Sequence, residues 1–143
     1  MSSRASGDFY PAMLQAAGRT REQIAQGQWP PVPPVLENLA RTEHRRWCAF
    51  HTVMGFRPMT DEAFKARAAR YLNEVKEKGA SALRIGKDLQ NRAHACLVDW
   101  EALDELSRRE NAVTGGQVDY KQMDRNNVLA LPGILGDDGC QGG

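Results

Sequence analysis

A chain of 143 residues and 15.9 kDa is the size of one compact domain with at most a flexible appendage. Leu, Ile, Val and Phe number only 27, so Ala, Trp, Tyr and Met must share in the core. With 19 basic residues against 18 acidic ones the net charge is +1, which excludes the broad basic field of a dedicated nucleic-acid binder.

In chain order, Asp8 caps a short helix over FYPAMLQAA, with Pro11 in its first turn and Gly18 beyond its end. Thr20 and Gln23 have capping-box spacing and open a second short helix that stops at Gly27, so 1–28 reads as N-terminal short helices. Residues 29–34 (Trp29, Pro30, Pro31, Val32, Pro33, Pro34) offer few amide donors and fixed φ angles. They read as an extended polyproline linker.

Val35 to Met54 reads as one helix closed by Gly55. Leu36, Leu39, Ala40, Glu43/His44, Trp47, His51 and Met54 recur at helical spacing, and Arg41, Arg45 and Arg46 fall on the solvated side. Thr60 and Asp61 open a second helix with Phe64, Ala68, Tyr71, Leu72 and Val75 on one stripe and Gly79 as its stop. Ser81 to Ala93 is weaker, a helical turn or two broken near Gly86, and His94 to Val98 suits a short extended segment. Asp99 caps a helix from Trp100 to about Glu110 that buries Leu103 and Leu106. Gly115-Gly116 marks a loop, and Asp119 caps a last helix through Leu135, bent at Pro132. The tail, 137–143, reads as flexible. The expected fold is mainly α: a small single-domain helical bundle with short extended segments.

Cys48, Cys96 and Cys140 are odd in number and lack framework spacing, which suits a reducing compartment. No apolar run approaches the ~18 residues of a membrane span, and MSSRASGDFY lacks the apolar stretch of a signal peptide. The expectation is a soluble, cytoplasmic protein with neither a membrane nor a nucleic-acid partner.

His44, Cys48 and His51 share one helix stripe whose spacing could hold zinc, with His94 or Cys96 closing the shell, or could line a pocket wall. Cys48 or Cys96 beside a histidine is also the raw material of a thiol nucleophile, but neither carries a local catalytic signature. Gly115-Gly116 lacks the following Lys-Ser/Thr of a phosphate-cradling loop. The richer constellation is aromatic and cationic. His44, Trp47, Trp100 and Tyr120 supply flat faces, Arg57 and Arg125 suit phosphate, and Asn126 can read an adenine edge. The bland alternative is that the tryptophans are core and that Arg125 pairs with an aspartate.

Four ordered pieces, Leu39-Ala40 with His44 and Trp47, Gly55-Phe56, His94 to Val98 followed by Trp100 and Leu103, and Asp124-Arg125-Asn126, resemble the ryanodine receptor repeat, the RyR domain, of the bacterial or phage type. The resemblance spans about Leu36 to Gly136, giving an RyR-like domain over 35–136 with a helical insertion at about 58–92. Ala95 and Asp99 stand where the pattern has prolines, and a second insertion lies around Ala112 to Val118. The resemblance implies a non-enzymatic, cofactor-free module that senses an adenine nucleotide or a signal of the cyclic ADP-ribose class. Its ligand residues would be His44, Trp47, Arg57, His94, Trp100, Tyr120, Arg125 and Asn126, in a pocket between the Leu36–Met54 helix, the His94–Trp100 segment and the last helix. A protein-interaction or scaffolding module, with the proline run docking on a partner or a second copy, is the alternative.

Overall fold

The computed structural model describes residues 20, 22–23, 29 and 32–130. The helix expected around FYPAMLQAA, the bend at Pro132 and the tail lie outside the described residues. The elements run α1 (Pro33–Val53), β1 (Arg57–Pro58), α2 (Asp61–Lys78), β2 (Lys87–Asp88), β3 (Ala93–His94), a 3-10 turn (Trp100–Ala102), α3 (Leu103–Thr114) and α4 (Tyr120–Leu129). The fold is mainly α with a small three-stranded sheet, as expected. Among the described residues, no helix is long and apolar enough to cross a membrane. The chain divides into two compact units, 1–46 with 122–143, and 47–121, so the expected 35–136 body contributes to both.

In the first unit, the Thr20–Gln23 capping box forms reciprocally: the Thr20 amide donates to Gln23 Oε1 (2.9 Å) and the Gln23 amide to Thr20 Oγ1 (3.1 Å). The start of α1 corrects the linker boundary, since Pro33 and Pro34 are helical. A helix's first turn needs no amide donors, so proline fits there, and the Val32 carbonyl accepts from both Val35 and Leu36 at 3.1 Å. Leu39 and Ala40 are buried as the helical spacing requires. Arg46, expected on the solvated face, instead lies half-buried with its guanidinium forked onto the buried Glu43 carboxylate (2.9 and 2.6 Å). Trp29 Nε1 donates to the Val128 carbonyl at 2.9 Å, beside a Val128 side chain that is fully buried.

The second unit is built on well-capped helices. Thr60 Oγ1 accepts from the Ala63 amide at the start of α2, and Gly79, at φ 74°, ends it in the left-handed conformation that disfavours a Cβ. Phe64 and Ala68 are buried, whereas Leu72, expected on the same stripe, is 51 % exposed. The segment before β2 corrects the expected helical turns. Arg67 of α2 donates to the carbonyls of Ile85 (2.8 Å), Arg84 (2.5 Å) and Lys87 (2.8 Å), holding that stretch open and non-helical. β3 is the central strand, parallel to β1 and antiparallel to β2. Beyond it, Ala95 to Leu97 turn inward with Trp100, Leu103 and Leu106 to form the core with Ile85 and Phe64. Full burial of each such large side chain contributes about 1.5–3 kcal/mol. Asp99 occupies the cap position of the 3-10 turn, but its side chain makes no cap hydrogen bond, and α3 continues to Thr114, further than expected. Asn111 closes the loop after α3, donating to the Val118 carbonyl and accepting from its amide, both at 2.8 Å.

Candidate functional site

Of the eight predicted ligand residues, Trp47, Arg57, His94, Trp100 and Tyr120 belong to the 47–121 unit, and His44, Arg125 and Asn126 to the other. Within 47–121 a ring cluster forms around His94. The His51 ring stacks on Trp47, with centroids 3.9 Å apart, because the residues are four apart on α1. His94 meets Trp47 edge-to-face at 4.8 Å, His51 at 5.9 Å and Phe56 at 6.4 Å.

Strand register decides which cation joins the cluster. Cross-strand partners share a sheet face, which puts Pro58, His94 and Lys87 on one side and Arg57, Ala93 and Asp88 on the other. Arg57 is therefore exposed on the face opposite His94, and Lys87 takes the place expected of it, with Nζ 6.0 Å from the Phe56 ring centroid. Sequence reasoning passed over Lys87 because its position depends on hairpin pairing within a stretch read as helical turns. His51 and Phe56 were legible: one as a possible metal ligand, the other in the Gly-aromatic pair.

The tautomers follow from the hydrogen bonds. The Trp47 carbonyl can only accept, so His51 Nδ1 carries the proton across their 3.0 Å contact. His94 Nδ1 accepts from the Cys96 amide at 3.1 Å, which leaves the proton of the neutral ring on Nε2. Burial, followed by the His51, Lys87 and Arg84 charges, pushes the His94 pKa down to about 4, so the ring is neutral at pH 7. His94 is 6 % exposed, and its Nε2–H finds no hydrogen-bond acceptor among the described residues. A buried donor without an acceptor is rare, and one set among aromatic faces beside a lysine fits an acceptor-bearing, anionic ligand.

Other predicted residues have structural employment. Trp100 is buried, and Lys121, paired with Asp104 at 3.0 Å, covers its ring at 5.3 Å, so it presents no face to a base. Tyr120 donates to Glu110 Oε2 at 2.6 Å; burial, then the neighbouring Cys96 and Glu110, hold its phenol far above the ordinary range. In the first unit, His44 Nδ1 lies 3.5 Å from Asp124 Oδ2, both buried. Arg125 forks onto Glu37 (2.9 and 2.8 Å) and reaches Gln122 Oε1, while the exposed Asn126 accepts from Gln122 Nε2. Among the described residues, no group of three or more His, Cys, Asp or Glu side chains is placed to share a metal ion. No family model, curated protein or solved structure matches the chain.

Proposed function

We propose that this chain is a non-enzymatic, RyR-type sensing module that binds a nucleotide or nucleotide-derived signal at the Trp47–His51–Phe56–His94 cluster. The carrying observation is the buried His94 Nε2–H without an acceptor. In this reading the His51-stacked Trp47 and Phe56 form an aromatic wall beside the base, His94 donates to a ring nitrogen or carbonyl, and Lys87 neutralises phosphate. Arg57, Trp100, Tyr120, Arg125 and Asn126 are left out because each is turned away, covered or already paired. Three cysteines, odd in number and without framework spacing, support a place in a reducing compartment such as the cytoplasm. The test is thermal shift and calorimetry with adenine nucleotides and cyclic ADP-ribose. Ligand at a hundred times its dissociation constant stabilises by about 2.7 kcal/mol. His94→Asn retains an acceptor for the Cys96 amide but, being shorter, leaves no donor at the Nε2 position, and should weaken affinity about tenfold, the worth of one net hydrogen bond. No shift at millimolar concentration with any of these ligands would falsify the reading.

A further inference from the structure

A groove of about 400 Å³ runs between α2 and α3, and nothing in the proposed nucleotide site uses it. Phe64, Ala68, Ala112, Val113 and the half-exposed Leu72 supply its apolar lining, with the Arg109 guanidinium lying over the Phe64 ring at 4.6 Å. Small side chains on both helices let a third helix approach closely, at the ~8–10 Å spacing of packed helix axes. The charged residues that line it, Lys65, Arg108 and Arg109, are all basic. Their carboxylate partners, Asp61 for Lys65 and Arg109 and Glu105 for Arg108, line a neighbouring depression instead. The Lys65–Asp61 and Arg108–Glu105 pairs are largely solvent-exposed, so Lys65 and Arg108 can exchange intrachain carboxylates for a partner's at little cost, whereas Arg109, 34 % exposed and packed over the Phe64 ring, stays with Asp61.

We propose that this groove docks an amphipathic helix of a partner protein, one that lays aliphatic side chains along the alanine floor and carries Asp or Glu on its flanks. The apolar floor supplies affinity, and the one-signed rim selects the charge of the flanks. The experiment titrates the full chain with two synthetic helical peptides that share leucines at i, i+3, i+4 and i+7, one flanked by glutamates and the other by lysines. A third arm uses vesicles of phosphatidylserine and phosphatidylcholine. The glutamate peptide should bind at least tenfold more tightly than the lysine peptide. Leu72→Asp should weaken it at least tenfold, and Lys65→Glu with Arg108→Glu should reverse the preference. All three positions are exposed, so circular dichroism should show the variants folded. Equal binding of both peptides, no saturable binding, wild-type affinity in Leu72→Asp, or tighter association with the anionic vesicles than with the peptide each overturns the proposal.

Discussion

His44 and His94 are equally buried, yet their surroundings are opposite in sign. His44 faces the Asp124 carboxylate at 3.5 Å, whereas the charged groups acting on His94 are His51, Lys87 and Arg84, all basic. Burial alone therefore does not decide what a histidine does. A carboxylate partner makes His44 part of the packing, whereas burial without one, reinforced by basic neighbours, keeps His94 a neutral donor suited to a ligand.

The largest expected effect tests the His94 side of this contrast. Its folded-state pKa of about 4 lies below the ordinary 6.5, so within that interval the unfolded chain binds a proton that the folded chain refuses. The contribution is fully present above about pH 6.5 and is lost as pH falls towards about 4, by roughly 3 kcal/mol. Urea titrations across this range measure it, and His94→Asn should flatten the slope. A slope that survives in the variant would assign the acid sensitivity to another group.

Next in size is Asp124→Ala, which strips the partner from a buried imidazole. It should destabilise the fold by about 1–3 kcal/mol at neutral pH, read from the denaturation midpoint, with nucleotide affinity unchanged. A cost near zero would show that the His44 contact is incidental.

Arg125→Ala should have the smallest effect. Its pair with Glu37 is partly exposed, with side-chain accessibilities of 25 % and 42 %, so the cost should be about 0.2–1 kcal/mol. Affinity for nucleotide should not change. A tenfold loss of affinity with an unchanged melting temperature would return Arg125 to the ligand site and break the division drawn between the two histidines.

What was legible in the sequence was mostly local. Thr20 with Gln23, Thr60, Gly79 and Gly115 act within a turn of their own positions, and each does what its residue type requires. Pro33 and Pro34 are not decided locally, because a proline pair suits both an extended linker and a helix start. The stretch from Ser81 to Ala93 is not legible locally, because what shapes it, the Arg67 guanidinium, arrives from another element. The same division holds at the site. Trp47 and His94 stood out by type and spacing, but exchanging Arg57 for Lys87 required strand register, and the coverage of Trp100 by Lys121 required tertiary contact.

The order of the sheet also bears on how the chain folds. β2 and β3 are close neighbours in sequence and can zip as a hairpin, whereas β1 reaches β3 only after the stretch containing α2 has been closed into a loop. The parallel half should therefore form late, when the entropy of that loop has been overcome. Its few hydrogen bonds then depend on one strand with neighbours on both sides. Backbone amides along β1, notably that of Arg57, which donates to the Arg92 carbonyl, should exchange with solvent sooner than that of Ala95, which donates to Gly86 within the hairpin.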